Sequence, residues 1–292
     1  MLIPVALISA IIGIRAGSGN DDGAEVAVTE DESPTLPGGG VKVFPKFRVI
    51  AFDGAPQQPA LGPIGRNSPE DAAVKLKRQA RPYRAGGRPL LPAFHLIATV
   101  AQADAGDDGL YRARLDPPDI ERYLEVARDN EMLLLLDIQP GQADFIDEVR
   151  ALEPLLREPE VGIALDPEWN MAPGEVPGSV IGTVDAAEVN EVSSYMEEIA
   201  RDEDLPQKVL VVHQFTSGMI TNRDRITDRS RVAVAFSIDG FGSPALKKGV
   251  YRRLAPRNKR SGFKVFYEED VPLMSPRDVL GQGPQPQIVI YE

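Results

Sequence analysis

Asp166 and Glu168 stand two residues apart, at the end of the run Val161-Gly162-Ile163-Ala164-Leu165, and the chain's only tryptophan, Trp169, follows them. A strand alternates its faces, so Gly162, Ala164, Asp166 and Glu168 share one side. Two small residues followed by two acids suit a strand whose inner face lines a narrow barrel and whose end opens into a pocket. Neighbouring carboxyl groups can serve acid–base chemistry. Crowding and partial burial raise a carboxyl pKa, so one group stays protonated near neutral pH while a second stabilises charge. Glycoside cleavage needs such a pair, and Trp169 could stack on a sugar face beside it.

Residues of this kind need a scaffold, and the chain supplies a repeating one. Apolar strand-like runs occur at Phe47–Phe52, His95–Ala101, Met132–Ile138, Val161–Leu165, Val209–Phe215, Val232–Ile238, Phe263–Tyr267 and Ile288–Tyr291. Helical spacing separates most of them, as in Ile120, Tyr123, Leu124 and Ala127, in Phe145, Val149, Leu152 and Leu156, and in Val189, Val192, Met196 and Ile199. Ser68-Pro69-Glu70-Asp71 and Ser275-Pro276-Arg277-Asp278 each offer a serine cap, a proline at the first helical position and an acid three residues on; Asp116-Pro117-Pro118-Asp119 offers an aspartate cap. Strands alternating with helices imply a parallel sheet with right-handed crossovers. Eight units over about 250 residues give the expected fold class: α/β, a single-domain (β/α)₈ TIM-type barrel over residues 41–292. Two segments fit less well. Residues 216–231 are charged and weakly amphipathic, and no eighth helix follows the last strand. The 41–46 segment is left to cover the barrel floor or flank. An open doubly wound sheet is the alternative, with no GxGxxG turn to support it.

In such a barrel the active site sits at the C-terminal strand ends. These ends carry Asp53, Gln102, Asp137 with Gln139, Asp166 with Glu168, His213 with Gln214, Asp239, Tyr267 with Glu268 and Glu269, and Tyr291. The ring predicts a polar, carboxylate-rich pocket. Glu168 with Glu268 or Glu269 would form a retaining pair across strands four and seven. His213 is expected to hydrogen-bond a neighbouring acid, and His95, read as opening its strand at the opposite barrel end, to be structural.

Gly162-Ile163-Ala164-Leu165-Asp166-Pro167-Glu168 resembles the fourth-strand signature of chitinase-like glycoside hydrolases of family 18, Asp-Gly-x-Asp-x-Asp-x-Glu, with Val161 and Ala164 in place of the first two aspartates. The resemblance implies a (β/α)₈ fold, Glu168 as general acid, Asp166 orienting a substrate acetamido group, and Tyr267 or Tyr291 as hydroxyl donors. The absent aspartate at position 164 would normally couple to the next one. The wider chain resembles a group of secreted actinobacterial-type barrel proteins, a likeness that implies fold and export but no activity.

Composition narrows the classes. The chain has 292 residues, 42% of them hydrophobic, enough for a sizeable core, and its formal charge of −12 disfavours a nucleic-acid partner. Without cysteine there is no disulfide, thiolate metal site or thiol nucleophile, and with two histidines metal sites built on several imidazoles are excluded. No cofactor and no resident metal are expected. Residues 1–17 form a signal-like apolar segment, too short for an ordinary spanning helix, so the protein is expected to be secreted or, if the segment is uncleaved, tethered to the membrane. Residues 18–40, acidic and rich in glycine and proline, read as a linker. The expected partner is a polysaccharide or cell-wall glycan, and the expected function a glycan-directed hydrolase. Two alternatives are a non-catalytic glycan-binding barrel, and a phosphoesterase with a carboxylate-only Mg²⁺ or Ca²⁺ site built from Asp53, Asp137, Asp166 and Asp239. The bases around Lys247-Lys248, Arg252-Arg253 and Arg257–Arg260 read as a solvated helix and loop.

Overall fold

Aliphatic runs that alternate inward and outward side chains pair in register here to close a sheet on itself. The computed structural model describes residues 33–292; the apolar segment and most of the expected linker lie outside them. The barrel strands are β1 (Arg48–Gly54), β2 (Leu90–Ala101), β3 (Leu133–Ile138), β4 (Val161–Leu165), β5 (Lys208–Gln214), β6 (Val232–Ile238), β7 (Arg260–Val265) and β8 (Ile288–Tyr291). Each pairs in parallel with the next, and β1 pairs in parallel with both β2 and β8, which closes the barrel and rules out the open sheet. A short antiparallel strand, Arg112–Arg114, extends the sheet on β2.

Register sorts the side chains into two cores. Val49, Ala51, Leu91, Ala93, Leu133, Leu135, Val209, Val211, Ile288 and Ile290 point inward and fill the lumen. Their neighbours, such as Ile50, Phe52, Leu134, Leu136, Val212 and Phe236, point outward against the helices. The lumen is tight at β4: a Cβ on Gly162 would lie 2.6 Å from the Val209 carbonyl oxygen and 2.8 Å from Leu135 Cδ2. The small residues read from the sequence are therefore a packing requirement. At the floor, Leu36, Val43, Phe44 and Phe47 plug the barrel, and Gln207 Oε1 accepts hydrogen bonds from the Val43 and Phe44 amides. The 41–46 segment thus covers the floor. Within the stretch read as linker, Leu36 is buried there too.

The helices are α1 (Pro69–Ala80), α2 (Pro117–Asp129), α3 (Phe145–Ala151), α4 (Glu153–Leu156), α5 (Ala186–Asp202), α6 (Pro244–Leu254) and α7 (Pro276–Leu280). Ser68 and Ser275 cap α1 and α7 with their side chains, whereas the Asp116 side chain makes no cap bond. An unanticipated capping box, Asp185 with Glu188, starts α5. The helix expected across 145–156 is broken into α3 and α4 at Leu152, just before Pro154 at the second position of α4. No α-helix lies between β5 and β6. The segment has no apolar stripe, and its arginines pin it to α5 instead: Arg229 reaches Ser193 and Glu197. The basic cluster is only partly solvated, since Lys247 is buried and its ammonium lies 2.8 Å from Asp270.

Candidate active site

The inward alternation continues past the apolar layers, and at the C-terminal end of the barrel its character changes. The next inward positions are Asp53 on β1, His95 on β2, Asp137 on β3, Asp166 after β4, His213 on β5, Ser237 and Asp239 on and after β6, Lys264 on β7 and Glu292 after β8. Every strand contributes a polar group, and all but Glu292 are buried.

All of these groups but Asp166 form a chain of contacts across the barrel. Lys264 Nζ lies 2.6 Å from Glu292 and 2.7 Å from Asp53 Oδ2. Asp53 Oδ1 accepts from His95 Nδ1 at 2.9 Å, and Asp239 Oδ2 accepts from His213 Nδ1 at 2.6 Å. Ser237 Oγ donates to the other Asp239 oxygen at 2.7 Å. With both Nδ1 atoms committed to carboxylates, the two Nε2 atoms face each other at 3.1 Å, the rings meeting edge to face. A single proton between them makes that contact a hydrogen bond. Asp137 Oδ1 accepts from the Ile138 amide at 3.0 Å and lies 4.0 Å from His213 Nε2.

Charge compensation divides the carboxyls into two kinds. Burial pushes Asp53 up, but Lys264 and His95 outweigh it and hold the carboxyl far below its usual range. Burial opposes ionisation of Asp239 as well, and His213 overcomes it, so Asp239 is held low. Burial pulls His213 down, yet Asp239 and Asp137 push it up to about 10. Lys264 is raised well above its ordinary value because Asp53 and Glu292 outweigh its desolvation. Asp166 lacks such a partner: burial, with Asp137 adding to it, lifts it well above an ordinary aspartate despite His213 nearby. Glu168 is raised by burial and then by Asp239. Carboxyls held low by cationic partners therefore stand beside carboxyls raised by burial, the contrast in environment from which a proton donor is built.

The chain leaves β4 at Leu165 and turns through a 3₁₀ helix, Pro167–Trp169. Asp166 stays buried while Glu168 and Trp169 are half-buried at the rim. Asp53, Asp137, Asp166, His213 and Asp239 all lie in or beside the polar layer; Glu168 feels the charges of Asp239, Lys264 and His213, and Trp169 is the next residue of the same turn. Several other residues read from strand ends lie elsewhere. Gln139 Oε1 accepts from the Ala101 amide at 3.1 Å, and Gln214 Nε2 donates to the Thr216 carbonyl at 3.0 Å, so both brace loops. Gln102 does likewise, donating to Val100. Tyr291 follows an inward Ile290 and so points outward; its hydroxyl meets that of Tyr83 at 2.7 Å, and its ring stacks on Tyr267 with centroids 5.3 Å apart. Neither tyrosine faces the lumen cluster as a hydroxyl donor. Glu268 and Glu269 are exposed in the loop after β7, and Glu268 pairs with Arg66 at 2.6 Å, away from the polar layer.

Sequence reasoning missed His95, Lys264 and Glu292. Strand β2 begins at Leu90 rather than His95, so His95 is its sixth residue and lies in the polar layer, not at the opposite barrel end. The alternation Leu91, Ala93, His95 carried that signal. Lys264 is masked by its apolar neighbours in the run Phe263-Lys264-Val265, and Glu292 is the next inward position after Ile290.

No family model matches the chain, and no curated protein matches it. Among solved structures, an oxaloacetate acetylhydrolase in complex with the product oxalate is similar at 12% identity and TM-score 0.45, covering 84% of this chain and 74% of its own. The cellulose synthase subunit Z of Clostridioides difficile is similar at 10% identity and TM-score 0.43, covering 84% and 91%. A dihydrodipicolinate synthase from Bacillus clausii is similar at 12% identity and TM-score 0.33, covering 84% and 67%. Likeness this remote carries no argument about activity; the barrel rests on its own strand pairing.

Proposed function

We propose that this barrel is a glycan-directed hydrolase in which Glu168 is the general acid and Asp166 its orienting or electrostatic partner. The observation that carries the reading is the turn after β4. That turn carries two carboxyls, both raised by burial, with the half-buried Trp169 directly after them in the chain. A carboxyl that remains protonated near neutral pH can protonate a departing glycosidic oxygen, and an aromatic ring beside it can pack on a sugar face. Asp137, Asp239 and His213 set the field around the pair. The partial family-18 pattern at Gly162, Asp166 and Glu168 supports the same assignment, and the apolar N-terminal segment supports an exported protein acting on a wall polysaccharide.

The test is turnover on chitin, peptidoglycan and α- and β-glucans. Removing a general acid costs about 10²–10⁴-fold in rate, so Glu168→Gln should lose most turnover and keep glycan binding. Activity should fall as pH rises through the raised Glu168 pKa, because only the protonated form donates. A glycan-binding barrel without catalysis would instead show affinity that Trp169→Ala removes and no hydrolysis by the parent. A parent that neither cleaves nor binds any of these glycans refutes both.

A further inference from the structure

The two histidines are the chain's only imidazoles, they come from β2 and β5, three strands apart around the barrel, and the register brings their Nε2 atoms to 3.1 Å. Each ring is held at Nδ1 by its own buried carboxylate, Asp53 for His95 and Asp239 for His213. A carboxylate on the remote ring nitrogen is the usual way a metal-binding imidazole is oriented and its free nitrogen made more basic. The spacing also suits a shared ion. Two nitrogens about 2.0–2.1 Å from one metal, at angles from roughly 90° to 110°, lie about 2.9–3.4 Å apart. Asp137 completes the set: one of its carboxylate oxygens lies within 4.8 Å of a ring nitrogen of each histidine, and Oδ1 lies 4.0 Å from His213 Nε2.

Local charge points the same way. Asp53, Asp137, Asp166, Asp239 and Glu292 crowd this layer, and the lysine among them is Lys264, already placed between Asp53 and Glu292. A dication between the rings and Asp137 would sit among these acids, beyond the two carboxylates that Lys264 contacts directly. Mixed imidazole and carboxylate donors suit first-row transition ions better than Mg²⁺ or Ca²⁺, which favour oxygen alone. We propose that His95, His213 and Asp137 bind one divalent first-row metal ion, of the zinc or iron class, at the bottom of the barrel mouth. Such an ion could make a bound water acidic, and Asp166 lies within the field of the ligands His213 and Asp137. The proposal does not rest on the glycan reading.

Titration of the chelator-stripped chain with Co²⁺, followed by visible absorption and thermal denaturation, tests it. One Co²⁺ should bind per chain, with a d–d band and a raised midpoint, and Zn²⁺ should displace it. His213→Gln should abolish both signals. Asp239→Asn keeps the three ligands but loosens one ring, and should weaken affinity about 10–100-fold. Glu168→Gln should bind Co²⁺ as the parent does, which separates this test from the fate of the hydrolase reading. If the parent binds no Co²⁺ and its midpoint is unmoved, the 3.1 Å contact is a proton-bridged histidine pair and the proposal is overturned. Binding by His213→Gln equal to the parent's would overturn it equally. Should His213→Gln fail to fold, the parent titration and Asp239→Asn decide the question.

Discussion

Lys208 opens β5 at the floor of the barrel, far along the strand from His213, and its side chain is buried. Its ammonium donates to the Glu158 carbonyl, with Glu160 and Glu158 as the nearest charges. Burial outweighs those acids and holds its pKa down, at about 7. The unfolded chain titrates this group near 10.4, so between the two values the unfolded state binds the extra proton and stability rises with pH. The contribution is complete above the unfolded pKa and lost as pH falls through the folded one. One proton of difference is worth about 1.4 kcal/mol per pH unit, and partial titration near pH 7 lowers the gain to about 2 kcal/mol between pH 7 and pH 9. Lys208→Met keeps the length of the side chain and removes the titration. Urea denaturation of parent and variant at pH 7, 8 and 9 should give stabilities whose difference moves by about 2 kcal/mol in the parent's favour as pH rises. Groups common to both proteins cancel in that difference. Parallel profiles, with a constant offset across the range, would refute the account, because they would mean that Lys208 titrates in the fold as it does in water.

Two further perturbations test the site layer and the lumen. Lys264→Met removes the cation between Asp53 and Glu292 and should cost about 3–5 kcal/mol in urea denaturation at pH 7, the usual penalty for leaving a buried carboxylate unpaired; a loss under about 1 kcal/mol would show that the acids do not depend on it. Gly162→Ala places a methyl 2.6 Å from the Val209 carbonyl oxygen, so strands β4 and β5 must part, with an expected loss of about 1–3 kcal/mol and a lower thermal midpoint. A neutral result there would mean the lumen has slack beside Gly162.

Much of the fold was legible because the signals are local. Strands β4, β6 and β8 begin and end where their apolar runs do, since each run is bounded by a turn or a polar residue. The serine–proline starts of α1 and α7 also needed no tertiary information, because the cap bond is made within one turn. Asp166, Glu168, Asp137, His213 and Asp239 could be named because an acid or imidazole closing an apolar run at the same end of successive strands is visible one strand at a time.

Closure and register decided the rest. That β1 pairs with both β2 and β8 is a property of the whole sheet, and it alone turns eight ends into one ring. Parity, which flips with a one-residue error in where a strand starts, separates an inward Glu292 from an outward Tyr291 and an inward His213 from an outward Gln214. His95 shows the same dependence: read as the first residue of its strand it was structural, and as the sixth it meets His213 across the lumen. No local pattern could pair two histidines 118 residues apart, or show that Asp53 and Asp239 fix both rings. Those contacts exist only because a narrow closed barrel brings side chains of non-adjacent strands within hydrogen-bonding distance.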